Sequence, residues 1–218
     1  MEKASPKYYP ICVDLNRRRC LVVGAGKVAA RKVRSLLETG ALVRVVSPDA
    51  VEEVAELAGE GKIDWQKRTF AKSDLEGVFL VVGVAGDPEV NRQVCEAADS
   101  ASILINIADE PGLCNFILPS VIRRGEFQIA ISSGGASPVL ARKIREVLEH
   151  RFGSHYGELV EELSRIREGL KERLPDESKR RQFWEQLIDL DFFDSLSVDE
   201  IHAKVRERAE ECLSRLAD

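Results

Sequence analysis

The sequence lacks the features of a membrane protein. No apolar run approaches the ~20 residues needed to cross a bilayer, and residues 1–9 contain no apolar signal core. We therefore expect neither a membrane partner nor export, and we expect a cytoplasmic location.

Cysteine and histidine are few and scattered. The five cysteines include no Cys-x-x-Cys pair, and the three histidines form no His-x-x-x-His pattern. This distribution predicts free thiols in a reducing compartment, and it excludes a disulfide framework or a metal centre of the usual ligand spacing. A Gly-x-Ser-x-Gly nucleophile elbow is also missing.

Basic residues do not outnumber acidic ones in this sequence. The formal net charge is −5, which argues against a general nucleic-acid partner. The hydrophobic fraction of 44% and the charged fraction of 32% are typical of a globular chain. A length of 218 residues is sufficient for one large domain or two smaller ones.

What the chain does contain is a glycine turn between a predicted strand and a predicted helix, in residues 20–32 (CLVVGAGKVAARK). Gly24 permits a tight turn, Gly26 lets the backbone approach a phosphate, and Ala29 takes the small position where helix and strand pack closely. The N-terminus of a helix offers N–H groups and a partial positive charge to an anion. The pattern predicts a site for a dinucleotide pyrophosphate.

Strands and helices alternate through the first half of the chain, which predicts an α/β fold with a Rossmann-type, doubly wound parallel sheet. The predicted strands are Cys20–Val23, Ala41–Val46, Lys62–Arg68, Val78–Val82 and Ser102–Ile107. Ligands of such sheets bind at the carboxyl ends of the strands. The loops expected there are Gly24–Gly26, Ser47–Asp49, Gly83–Asp87 and Ala108–Gly112.

The pattern changes after about residue 115. Two short strands, Phe116–Ser120 and Phe127–Ile131, are predicted before a helix that starts at Val139. From Phe152 onward the periodicity is helical. We therefore expect three parts: residues 1–115 as the nucleotide-binding domain, residues 116–150 as a small α+β segment, and residues 151–218 as a helical domain.

Asp109 follows the last predicted strand of the sheet, beside the place where a nicotinamide would lie. A carboxylate there can accept a proton, steer a cationic substrate or ligate a metal. An aspartate before Pro-Gly is also a common turn former, so position alone leaves both roles open. Asn115, at the next turn, could orient a polar substrate group.

A polar, glycine-rich turn occupies residues 132–138. Ser137 is predicted to cap the helix that follows. Ser132, Ser133 and Gly134 could also bind carboxylates through backbone N–H groups.

The choice between NAD and NADP stays open at this stage. The acidic residue expected ~20 positions after the glycines is missing. Asp49 follows the second predicted strand, where it is expected to help cap the next helix and could reach the ribose hydroxyls, favouring NAD. Arg44 could meet a 2′-phosphate, but its position inside the strand makes it the weaker candidate.

Three segments carry a resemblance to a known family. They are Tyr9–Lys32 with its glycine turn, Asn106–Ser120 with Asn-Ile-Ala-Asp-Glu-Pro, and Ile129–Arg142 with Ser-Ser-Gly-Gly-Ala-Ser-Pro. The chain resembles the precorrin-2 dehydrogenase and sirohydrochlorin ferrochelatase family, which includes the N-terminal region of sirohaem synthase.

The resemblance implies NAD-dependent oxidation of precorrin-2 to sirohydrochlorin and, in some members, Fe²⁺ insertion to give sirohaem. It implies a homodimer whose subunit contact is made by residues 116–150. It makes Asp109 the general base or the group that handles the metal, and Ser133 matches a serine that is phosphorylated in some relatives.

The same resemblance implies cofactor contacts beyond the two glycines, at Lys27, Val28, Pro48, Asp49, Ala85 and Asp87. Gly86 departs from the family's Ala-Thr-Asp pattern and removes a hydroxyl contact. The expected substrate contacts are Asn115, Ser132, Ser133, Gly134 and Ser137, and no resident metal site is expected.

Two alternatives remain. A non-catalytic NAD-binding regulatory module would share the glycine turn and the sheet but would need neither Asp109 nor the serine turn. A chelatase-only protein would need Asp109 but not an intact glycine turn.

Overall fold

The alternating apolar segments of the first half form one parallel sheet. The structure is a computed structural model that describes residues 7–217, and the chain divides after Leu118 into two compact units. The sheet belongs to the first unit. Its strands are β1 (Arg19–Val23), β2 (Leu42–Val46), β3 (Asp64–Gln66), β4 (Leu80–Gly83) and β5 (Leu104–Ile107).

All neighbouring strands of this sheet are parallel, in the order β3-β2-β1-β4-β5. The chain starts in the middle, builds to one edge and then returns to build to the other. The strand order therefore reverses between β1 and β4, which is where ligands of doubly wound sheets bind. The predicted fold class is confirmed.

Helices cover both faces of the sheet. They are α1 (Lys27–Leu37), α2 (Glu52–Gly59) and α3 (Pro88–Ser100). Along β1, Cys20 and Val22 belong to the core beneath α1 and α2, whereas Leu21 and Val23 belong to the core beneath α3. Strand residues with an apolar core on each face are all apolar, which is why residues 20–23 form a continuous apolar run rather than an alternating pattern.

The second unit begins with a two-stranded antiparallel sheet, β6 (Ser120–Arg124) and β7 (Phe127–Ile131). The prediction of a strand over residues 116–120 was therefore wrong, because the strand begins at Ser120, where the prediction ends it. Pro119 has no N–H to donate to a ladder, and the paired segment starts only after it. Ile122, which pairs with Ile129, is fully buried.

Helices make up the rest of the second unit: α4 (Pro138–Arg151), α5 (His155–Arg173), α6 (Glu177–Leu187), α7 (Leu190–Asp194) and α8 (Val198–Ala217). The short α7 was not predicted, because five residues are too few for a helical period to show. No helix in the described part of the chain is long and apolar enough to cross a membrane.

Glu162 is a carboxylate buried between α5 and α8. Its oxygens lie 2.6 Å from Arg206 Nε, 2.8 Å from Arg165 Nη1 and 2.9 Å from His202 Nδ1. These bonds, led by the one from Arg206, lower the pKa of Glu162 to about 2 despite its burial. His202 also lies 3.0 Å from Glu158, and the two carboxylates raise the pKa of the imidazole.

Candidate functional site

The turn between β1 and α1 packs tightly through Gly24. Its φ is +106°, and its N–H donates to the carbonyl of Val46 at 2.9 Å. A Cβ at this position would lie 2.6 Å from the carbonyl oxygen of Val84 and 2.9 Å from the nitrogen of Ala85. Both the backbone conformation and the lack of space therefore require glycine here.

Gly26 is different, because the fold does not require it. It is the N-cap of α1 with φ −82°, and a Cβ built on it would meet no described atom within 4 Å. The described residues provide no side-chain cap for α1 and no acidic residue in its first turn. The first N–H groups of α1 are therefore available to bind an anion, in the space that a side chain at residue 26 would otherwise occupy.

These loops line a cleft of about 780 Å³ at the carboxyl ends of the strands. That volume falls within the ~300–1,000 Å³ typical of small-molecule sites. The structure brings all of the predicted cofactor-binding residues to its walls: Gly24, Gly26, Lys27, Val28, Pro48, Asp49, Ala85 and Asp87. A dinucleotide therefore has both a cradle and room, whereas the individual contacts remain predictions.

Asn91 holds one wall of the cleft in place. Its side chain is nearly buried, and its amide both accepts from the N–H of Ala85 (3.1 Å) and donates to the carbonyl of Ala85 (3.0 Å). Asp87 caps α3 by accepting from the N–H of Glu89 at 2.9 Å. Sequence reasoning missed Asn91, although a polar residue on the core-facing side of a predicted helix was a usable signal.

Asp49 does not cap the next helix, so that prediction was wrong. The N-cap of α2 is Val51, two residues later, and it makes no side-chain cap bond among the described residues. Asp49 instead lies in the wall of the cleft, where its carboxylate can serve a ligand.

Arg44 points away from the cleft, against its role as a partner for a 2′-phosphate. Its Nε lies 2.6 Å from Asp64 Oδ2, and it lines a separate cavity of about 310 Å³ at the amino ends of the strands. The arginine that does line the cleft is Arg68, which the sequence analysis missed. Its guanidinium bonds both oxygens of the buried Asp74, at 2.5 and 2.8 Å.

Asp109 lies just beyond β5 with an exposed side chain. Its φ of +61° is in the left-handed region, which is sparsely populated by residues other than glycine and is found more often at functional sites. Asp109 is at the same edge of the sheet as the cleft but is not among the described residues of its wall.

Lys32 on α1 lies within electrostatic reach of Asp109. Burial lowers the pKa of the Lys32 ammonium, Arg31 lowers it further, and the Asp109 carboxylate opposes both effects. Sequence reasoning did not single out Lys32, since contact between a helix and a distant strand end is a tertiary property.

Asn115 is committed to the backbone of β5. Its Oδ1 accepts from the N–H of Ile105 and its Nδ2 donates to the carbonyl of Ile103, both at 2.8 Å. The predicted contact with a substrate would have to compete with these two bonds, and it stays a prediction.

The serine turn belongs to the second unit, whereas Asp109 belongs to the first. Ser137 caps α4 by accepting from the N–H of Leu140 at 3.2 Å, which confirms that prediction. Ser133 Oγ accepts from the N–H of Ser137 at 2.9 Å, and Ser132 Oγ accepts from the N–H of Gly134 at 3.1 Å. Their hydroxyls thus shape the turn, and their contact with a ligand remains a prediction.

Residues 7–217 contain no group of three or more His, Cys, Asp or Glu side chains that could hold a metal ion.

Three family models match consecutive parts of the chain. Residues 11–120 match a putative NAD(P)-binding family, residues 124–151 match the central region of sirohaem biosynthesis proteins, and residues 155–216 match the sirohaem synthase dimerisation region. The chain belongs to this NAD(P)-binding family. Its second unit carries the matches to the central and dimerisation regions of sirohaem biosynthesis proteins.

Individual relatives agree with this assignment. The chain is 41% identical over 182 residues to a siroheme synthase of Nitrosococcus oceani, covering 84% of this chain and 39% of the relative. It is 44% identical over 179 residues to a siroheme synthase of Photorhabdus laumondii, covering 82% and 38%. The chain therefore spans well under half the length of these relatives.

A solved structure matches over nearly the whole chain. This is SirC, precorrin-2 dehydrogenase, with a TM-score of 0.75 and 29% sequence identity. The match covers 95% of this chain and 100% of that one.

Proposed function

We propose that this chain catalyses the NAD-dependent oxidation of precorrin-2 to sirohydrochlorin. The observation that carries the proposal is the pairing of two features at one edge of one sheet. A glycine that folding does not require opens the N-terminus of α1 to an anion, and an exposed carboxylate follows β5 on a left-handed backbone. The likeness to SirC supports the choice of substrate.

The cleft residues divide the binding of the cofactor between them. NAD, when bound, supplies the acceptor for a hydride. The first N–H groups of α1, beside Gly26 and Lys27, would hold the pyrophosphate, with the Lys27 ammonium adding positive charge. Asp49 would bind the ribose hydroxyls, which favours NAD because a carboxylate repels a 2′-phosphate.

Asp109 would act as the general base. Oxidation of the macrocycle removes two electrons as a hydride and also releases a proton, so a positioned carboxylate that accepts the proton assists the reaction. The Lys32 ammonium on α1 lies within electrostatic reach of this carboxylate, so the candidate base has a positive charge near it.

Precorrin-2 is a flexible polycarboxylate, and the second unit offers groups that suit it. Gly134 has φ +64° in an exposed turn, where backbone N–H groups of the kind that bind anions can face a carboxylate. We assign substrate contacts to this turn, through Ser132, Ser133, Gly134 and Ser137, with Asn115 as a further contact.

We also propose that the protein is a homodimer. Four apolar side chains lie on one face of α4 with 39–70% of their surface exposed: Val139, Leu140, Ile144 and Val147. An apolar helix face of this kind is typical of a surface that a partner covers. This supports a subunit contact through residues 116–150, together with the match of residues 155–216 to the dimerisation region.

Fe²⁺ enters the proposal only as a second substrate. Insertion of iron into sirohydrochlorin requires a group that removes protons from the ring nitrogens, and Asp109 is our candidate for that role too. The two reactions would then share one base.

The test is an assay of the whole chain with precorrin-2 and NAD⁺, following NADH formation and the absorbance of the tetrapyrrole. Asp109→Asn keeps a residue that tolerates a left-handed backbone, so it should abolish turnover and leave NADH affinity intact. Asp99→Asn, at an exposed aspartate on α3, is the matched control and should be fully active.

Three results would change the conclusion. Tight NADH binding by the wild type with no oxidation of precorrin-2 would favour a regulatory module. Insertion of Fe²⁺ or Co²⁺ without any dehydrogenation would favour a chelatase. Normal turnover by Asp109→Asn would remove Asp109 as the base.

A further inference from the structure

The thiol of Cys114 closes the loop that carries Asp109. Its Sγ lies 3.1 Å from the nitrogen of Ile107, the last residue of β5, and 3.3 Å from the carbonyl oxygen of the same residue. It also lies 3.3 Å from the carbonyl oxygen of Glu110, within the loop. One side chain therefore connects the end of the strand, the middle of the loop and the point where the loop returns.

Cys114 and Asn115 together cover the open edge of β5. Among the strands of residues 7–217, this one has a neighbour on one side only, so its outward N–H and carbonyl groups need other partners. Asn115 provides them for Ile103 and Ile105, and Cys114 provides them for Ile107. The side chains of Cys114 and Asn115 thus replace a neighbouring strand along β5 as far as Ile107, two residues before Asp109.

Two further bonds hold the same loop. Asn106 Nδ2 donates to the carbonyl of Phe116 at 3.1 Å. The Cys95 thiol donates from α3 to the carbonyl of Leu113 at 3.4 Å. The returning end of the Asp109 loop is therefore attached both to β5 and to α3.

The thiol form of Cys114 is the one that makes these contacts. Burial raises the pKa of this cysteine, although the bond from the Ile107 N–H partly opposes the rise. The sulfur keeps its hydrogen at neutral pH, and it can accept from one backbone group while donating to one of the two carbonyls. A half-buried thiol that is held by backbone groups in this way is suited to structure rather than to nucleophilic attack.

We propose that Cys114 is a positioning residue, which sets the place of the Asp109 carboxylate by closing its loop onto the end of β5. This inference rests on the proposed role of Asp109 as the base. A residue with a left-handed backbone in an exposed loop keeps its direction only if its surroundings hold it. Small displacements of a catalytic group are known to lower rates strongly.

The test compares Cys114→Ala, Cys114→Ser and the control Cys12→Ala, which removes an exposed thiol of the same unit. Cys114→Ala should lower kcat by about 10- to 100-fold and leave the dissociation constant of NADH unchanged. Cys114→Ser should recover most of kcat, because a hydroxyl can accept and donate at the same place. Cys12→Ala should behave as the wild type.

A second readout does not depend on the reaction. Amide hydrogen exchange over residues 108–113 should be faster in Cys114→Ala than in the wild type, and unchanged in Cys12→Ala. If the wild type does not oxidise precorrin-2, the proposed function has failed, and this measurement alone decides whether Cys114 holds the loop.

The inference is overturned if Cys114→Ala keeps the wild-type kcat, if Cys114→Ser is as impaired as Cys114→Ala, or if amide exchange in the loop does not change. Parallel loss of NADH affinity and kcat would also overturn it, since that result indicates general damage to the first unit.

Discussion

The two glycines of the turn after β1 should respond to the same substitution in opposite ways. Alanine at Gly24 must adopt φ +106° and bring its methyl group to 2.6 Å from a backbone oxygen. Alanine at Gly26 keeps φ −82° and meets no described atom within 4 Å. We therefore expect Gly24→Ala to damage folding and Gly26→Ala to damage binding.

The magnitudes follow from the geometry. A left-handed alanine costs roughly 1–2 kcal/mol and overpacking roughly 1–3 kcal/mol, so Gly24→Ala should lower the free energy of unfolding by about 2–5 kcal/mol. For Gly26→Ala, alanine is a poorer N-cap than glycine, but it also stabilises by reducing unfolded-state entropy by about 0.4–1 kcal/mol. The two effects nearly cancel. Its methyl group would stand where the pyrophosphate approaches, which should weaken NADH binding at least about tenfold, or 1.4 kcal/mol.

Urea unfolding of the cofactor-free protein and titration with NADH separate the two effects. Trp65 in β3 donates to the carbonyl of Ser47 at 3.1 Å, so its fluorescence reports on the first unit, and a Trp184→Phe background removes the signal of the second unit. The reasoning is refuted if Gly26→Ala binds NADH as tightly as the wild type. It is refuted equally if the two variants are destabilised to the same extent.

Three other predictions concern different parts of the chain. Asp49→Ala should weaken NADH binding by about 1.5–3 kcal/mol, the usual worth of a charged hydrogen bond, without weakening NADPH binding, as measured by titration with each nucleotide. The pKa of Glu162 falls from 4.5 to about 2 on folding, so its stabilising effect is complete above pH 4.5 and is lost as the pH falls towards 2. The pKa of His202 is raised from 6.5, so its contribution is present below 6.5 and is lost as the pH rises through the raised value; melting curves across pH should show both limbs. Val147→Asp, at a side chain that is 70% exposed on α4, should give a monomer in analytical ultracentrifugation.

Each of these has a control or a contrary outcome. Glu52→Ala, at an acidic residue in the first turn of α2, should leave both nucleotide affinities unchanged, and equal losses for NADH and NADPH would contradict the role of Asp49. Glu162→Gln should flatten the acid limb of the melting profile, whereas Glu158→Gln should leave that limb in place, because Glu158 is 40% exposed. A Val147→Asp protein that remains dimeric would exclude this face of α4 from the subunit contact.

Much of the first unit is encoded in short stretches of sequence. The continuous apolar strands, the glycine turn and Pro88 at the start of α3 each act on their immediate neighbours, so the parallel sheet and the cleft at its carboxyl edge were predictable. The errors also have local causes. Pro119 cannot pair in a ladder, so β6 starts after it. The helix α7 is too short to show a helical period, and the N-cap of α2 is Val51 rather than Asp49.

Other features depend on which distant residues meet. The amide of Asn115 is bonded to β5, and Arg44 pairs with Asp64. The Asp109 carboxylate lies within electrostatic reach of Lys32, which is distant from it in the sequence. Glu162 and His202 pair across two helices. The sequence determined which backbone segments are strands, helices and turns, because those depend on nearest neighbours. Only the tertiary structure decided which side chains hold the loops in place and which remain available for a ligand, because that choice depends on the direction of each side chain after the sheet has assembled.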